Sequence, residues 1–105
     1  MTRREVLAWL DTRRPAPPPA LRAHLDAAVT DSDEWLPAHL AELGQAVLAR
    51  VTGRPEGGRE LALDLLAADA FVTYAFEAQA EADVRGLAAL ADRVAATGQE
   101  GGGNT

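Results

Sequence analysis

Cysteine is absent from the 105 residues, which excludes disulfides and thiolate metal sites and fits a reducing, cytoplasmic setting. Lysine is absent as well, all ten basic residues being arginine, and isoleucine is missing while alanine and leucine abound. That bias carries the mark of a high-GC, bacterial-like coding sequence, so the arginines alone are no sign of phosphate binding. Serine occurs once, as Ser32 in the turn-forming run Thr30 to Asp33, and no nucleophile elbow surrounds it. Positive charge is in deficit: the net charge of −6 opposes attraction to nucleic acid and to anionic membrane surfaces. Uncharged apolar runs such as Ala70 to Phe76 are far shorter than the roughly 18 residues needed to span a bilayer, so no transmembrane helix is expected. Aromatic residues are few, and are confined to Trp9, Trp35, Phe71, Tyr74 and Phe76.

What the chain does have is one long helical stretch, Glu60 to Ala82. Leu61, Leu65, Ala68, Val72, Ala75 and Gln79 follow steps of three and four, while Leu63, Leu66, Ala67, Ala70, Phe71 and Tyr74 fill much of the remaining circumference. A helix apolar on so many sides belongs at the centre of a fold. Asp69, Thr73, Glu77 and Glu81 step by four and form a ridge that should meet water. Asp64 points away from that ridge, towards the apolar side, and with Glu60 lies near the helix start, where the macrodipole favours negative charge.

The remaining segments read as shorter helices around this rod. Thr2 and Glu5 have capping-box spacing, which predicts a helix to about Thr12 that buries Val6, Leu7 and Leu10 with Trp9 beside them. The Arg3-Arg4 pair superficially matches a twin-arginine export signal. The required apolar region does not follow, because Asp11, Arg13, Arg14 and prolines intervene. Pro15, Pro17, Pro18 and Pro19 make residues 15–19 a stiff connector, and Pro19 suits the first position of a second helix with Leu21, Leu25, Ala28 and Val29 on one face. The third helix starts after either Asp33 or Leu36 and carries the seam Leu36, Leu40, Leu43, Val47 and Val51, the pattern of a helix packed nearly antiparallel to a neighbour. Gly53 is expected as a left-handed cap, with Pro55, Gly57 and Gly58 completing a short turn into the central helix. A break near Ala82 and Asp83, with Asp83 as cap, would open a last helix bearing Val84, Leu87, Leu90 and Val94; Gly86 costs about 1 kcal/mol in a helix and does not forbid continuity. From Gly98 the polar tail has nothing apolar to anchor it, so residues 98–105 are expected to be disordered.

Reactive constellations are missing. His24 and His39 fall on different helices, and His39 with Glu42 would make a metal site only if His24 joined them. The paired Glu and Glu-x-x-His motifs of a dimetal bundle are lacking, and the glycine-rich Gly53 to Gly58 run has no lysine and no preceding strand. Arg3, Arg4, Arg13 and Arg14 form the one basic cluster, which in an acidic chain reads as a solvated or salt-bridged face.

The segment Ala68-Asp69-Ala70-Phe71-Val72-Thr73-Tyr74-Ala75-Phe76-Glu77 resembles the G-D-A-L-L-T-x-A-F-E helix of isoprenyl diphosphate synthases. In that family the helix is mostly scaffold, and activity depends on two aspartate-rich Mg-diphosphate motifs and on basic residues that hold the diphosphate. Here the family's glycine is replaced by Ala68, no DDxxD pattern occurs and there is no lysine, so the resemblance implies shared helix packing and no catalytic residue.

Together these readings predict an all-α fold: a single domain over residues 1–97, a small bundle of four to five helices built on a central long hydrophobic helix and an antiparallel helical hairpin. The expected function is a non-enzymatic interaction or scaffold domain that self-associates as a homodimer or binds another helical protein. No cofactor, metal or catalytic residue is expected. Trp9, Trp35, Phe71, Tyr74 and Phe76 are the candidate interface anchors, because aromatic residues dominate interface energetics. The alternative is a small-molecule or metal-binding accessory protein with an interhelical pocket lined by Asp64, His24 or His39.

Overall fold

A computed structural model describes residues 1–53, 58–82 and 87–101. Among them five helices and no strand are formed: α1 (Arg3–Leu10), α2 (Pro19–Ala28), α3 (Leu36–Thr52), α4 (Arg59–Ala82) and α5 (Leu87–Gly101). All five contribute to one apolar core, in which Val6, Leu10, Leu25, Leu40, Phe71 and Leu90 are buried. Each large side chain enclosed this way stabilises the fold by about 1.5–3 kcal/mol. No helix among the described residues is long and apolar enough to cross a membrane.

The local signals act as their chemistry requires. Thr2 and Glu5 form a reciprocal capping box at the start of α1, which brings Val6 and Leu10 onto the core. The chain then turns, with the backbone N–H groups of Thr12 and Arg13 donating to the carbonyls of Trp9 and Leu10. Pro19 occupies the first turn of α2, where a missing N–H costs nothing, and Leu25 and Val29 are buried beyond it. The segment between α2 and α3 is stitched to the chain start: Ser32 N–H donates to Met1 O at 3.0 Å and Arg3 N–H to Asp31 Oδ1 at 2.5 Å.

The third helix starts between the two positions expected for it, at Leu36 itself and not after Asp33 or after Leu36. Trp35 is the N-cap and Pro37 lies in the first turn of α3. Leu40, Leu43, Val47 and Val51 are buried as their spacing predicts, and Leu36 packs against them. The left-handed position expected at Gly53 falls elsewhere. Gly53 caps α3 in a right-handed conformation, φ −85° and ψ −1°, and the positive φ of 118° belongs to Gly58. Gly58 turns the chain into α4, its carbonyl accepting the Ala62 N–H at 3.0 Å. Pro55 and Gly57 lie outside the described residues.

α3 and α4 make the largest helix–helix contact. Gly44, about two turns before the end of α3, faces Ala68, Phe71 and Val72, about three turns into α4, so the two helices run antiparallel. The face that α4 buries is rich in small residues: Ala67, Ala68, Ala75 and Ala78 accompany Phe71, Tyr74 and Gln79. Small side chains let the backbones approach, and a Cβ at position 44 would stand only 3.1 Å from the Ala68 carbonyl oxygen. The closeness has a consequence for the leucines of α4, which are displaced from the buried face: Leu65 and Leu66 are exposed.

α5 returns along the first half of α3, with Leu90 buried, Val94 packed on the core and Arg93 reaching Glu42 at 3.3 Å. The break expected around Asp83, together with Val84 and Gly86, lies outside the described residues. α5 continues to Gly101, past the Gly98 where the tail was expected to begin. Residues 102–105 of the expected tail lie outside the described residues.

Candidate functional site

The aromatic residues do not share one surface. Phe71 is fully enclosed and Tyr74 is 9% exposed, both inside the core. Trp9 and Phe76 are half-buried and pack against it. Trp35, 49% exposed at the start of α3, is the member of the set that faces solvent.

Trp9 and Tyr74 meet edge to face, their ring centroids 6.0 Å apart at 82°. Arg13 lies over the Trp9 ring at 3.9 Å, and its Nη1 reaches Glu77 Oε1 at 3.1 Å and Glu81 Oε2 at 2.9 Å. Trp9 Nε1 donates to Glu81 Oε1 at 3.2 Å. The acidic ridge of α4 meets water as its spacing predicts, with Asp69, Thr73 and Glu81 exposed and Glu77 partly so, and in its second half Glu77 and Glu81 also pair with Arg13 beyond the end of α1. Burial, and then the neighbouring Glu77 charge, push the Tyr74 hydroxyl above its ordinary pKa, which keeps it neutral across the physiological range. Arg22 does for α2 what Arg13 does for α1, bridging Asp11 at 2.8 Å and Asp26 at 2.6 Å. Within the basic cluster Arg3 donates to the Asp26 carbonyl at 2.8 Å and Arg14 to the carbonyls of Asp11 and Arg13, so much of that charge serves the fold.

His24 and Asp64 do come together. The Nε2 of His24 lies 3.1 Å from Glu60 Oε2 and 3.8 Å from Asp64 Oδ1, while Nδ1 faces the Ala20 carbonyl at 3.2 Å. The Asp64 side chain is 17% exposed, as its position on the inner side of the helix predicts. His39 is elsewhere: it is 2% exposed, with Nε2 set against the Thr30 carbonyl at 2.8 Å. No group of three His, Cys, Asp or Glu side chains is placed to hold a metal among the described residues. His24 thus ties α2 to the first turn of α4.

The uncovered apolar surface lies at the other end of α3 from Trp35. No residue from Arg59 to Leu66 is buried, although this stretch carries Leu61, Leu63, Leu65 and Leu66. Leu65 is 45% exposed and Leu66 53%, and Leu48 on the adjacent turn of α3 is 38% exposed. Beside them runs an open groove of about 280 Å³, lined by Gly44, Leu48, Leu65, Ala68, Asp69 and Val72. Aromatic content did not point to this face. The signal that does is the density of leucine around the first two turns of α4, beside an α3 surface that offers Gly44, Gln45 and Leu48.

No protein-family model, curated protein or solved structure matches the chain.

Proposed function

We propose that the protein is a non-enzymatic helical interaction module of the cytoplasm that self-associates through the exposed apolar face near the turn end of the α3–α4 hairpin. The observation that carries this reading is the uncovered leucine set: Leu48 and Leu65 are exposed along one groove between α3 and α4, and Leu66 is exposed on the next position of α4, whereas α4 buries its apolar residues only from Ala67 onward. Isolated exposed leucines are ordinary, but a contiguous group beside an apolar groove is the composition of an interaction surface.

The magnitudes set the strength of the contact. Covering the exposed part of each leucine returns about 1 kcal/mol, or about 6 kcal/mol for two copies, against an association cost of about 4–15 kcal/mol. The leucines alone thus leave at most about 2 kcal/mol, so the association depends on further contacts from the groove walls and is expected to be weak, with a dissociation constant towards the millimolar range. Light scattering from about 1 μM to about 1 mM tests this. The mass is expected to rise from 11.1 kDa towards twice that value; an unchanged 11.1 kDa throughout would remove the reading.

A further inference from the structure

On the self-association reading, we infer that the second copy docks with its α4 antiparallel to this one, across a twofold axis close to Asp64 and Leu65. Ala62, Leu65, Leu66, Asp69 and Thr73 follow steps of three and four and are all exposed, so they form one open stripe along the first half of α4. The stripe carries charge at its margins and leucine between. Arg59 and Asp69 are both exposed, neither has an ion pair among the described residues, and they stand about 15 Å apart along the helix on either side of the leucines.

That spacing selects the orientation. Antiparallel pairing about residue 64 brings Arg59 of each copy opposite Asp69 of the other, two symmetric ion pairs bracketing an apolar centre. Leu66 then lies over Ala62 of the partner, a large side chain on a small one, and Leu65 lies beside its own counterpart with Leu48 at the flank. Parallel pairing would set Asp69 against Asp69 and Arg59 against Arg59, which repels at both margins. A copy with net charge −6 gains little from random approach to another, so this local complementarity is what chooses the face.

Sedimentation equilibrium on the full chain reads the outcome, with circular dichroism melts to verify that each variant is folded. Arg59→Asp and Asp69→Arg are each expected to raise the dissociation constant about tenfold, and the double reversal to restore it to within about threefold of the original. Leu66→Arg, at a 53% exposed position, is expected to abolish the dimer while leaving the melt unchanged. A dimer that ignores all of these changes, or a double reversal no tighter than the singles, would overturn this docking geometry and leave self-association standing. A wild-type chain that stays monomeric would remove both.

Discussion

Gly44 shows how much of this fold depends on the absence of a single methyl group. A Cβ there would lie 3.0 Å from Val72 Cγ2, 3.1 Å from the Ala68 carbonyl oxygen and 3.3 Å from Phe71 Cβ. Two of those neighbours belong to the backbone or to a Cβ and have no rotamer by which to withdraw. Gly44→Ala is therefore expected to destabilise the protein by about 1 kcal/mol in urea unfolding, the overpacking outweighing the gain in helix propensity. Arg13 is the second sensitive residue, since its side chain is 12% exposed and serves Trp9, Glu77 and Glu81 together. Arg13→Ala should cost about 1–2 kcal/mol by the same measurement, through lost stacking over the ring and loss of the ion pairs. Glu5 gives a pH signature. Hydrogen bonds from the Thr2 backbone and hydroxyl hold its carboxyl below its ordinary 4.5, so its capping contribution is complete above that pH and is lost as pH falls through the lower folded-state value. The gap in melting temperature between the wild type and Glu5→Gln is accordingly expected to be present at pH 7 and to close in acid, below pH 4.5.

At the scale of helices, what the sequence makes legible is whatever depends on periodicity and caps. The Thr2–Glu5 box, Pro19 in its first turn, the α3 seam and the antiparallel hairpin all follow from spacing alone. What could not be read is which side of α4 faces inward, because leucine and alanine are apolar on nearly every side of it. The choice was made by packing distance: Gly44 draws α3 onto the alanines, and Leu65 and Leu66 are left outside even though hydrophobicity alone would bury them first. The same reasoning moves the candidate anchors from Phe71 and Tyr74, which the core absorbs, to leucines and Trp35. Gly53 belongs with these, since a glycine after a helix suits several caps and only the path of the chain selects among them. α4 thus has two unlike parts, one through Leu66 with no buried residue and one from Ala67 with a buried face. Hydrogen exchange should follow that division. In dilute solution the amides of Leu63 to Leu66 are expected to exchange faster than those of Phe71 to Ala78, and concentrating the protein should slow the first group selectively.

For the whole molecule, the helices meet around a single core while the far end of the hairpin remains apolar and open, with His24 holding α2 to its inner side through Glu60 and Asp64. On the proposed reading, the net charge of −6 keeps copies of the chain apart except where the charged margins and the leucines of the α4 stripe meet. Binding to duplex DNA is not expected, and absence of retardation at low salt would agree with the acidic surface. The most direct test of the central claim is sedimentation velocity of the wild-type chain beside Leu66→Arg, at matched concentrations up to about 1 mM. A concentration-dependent dimer in the first and an 11.1 kDa monomer in the second is the predicted result; the same association state in both would contradict it.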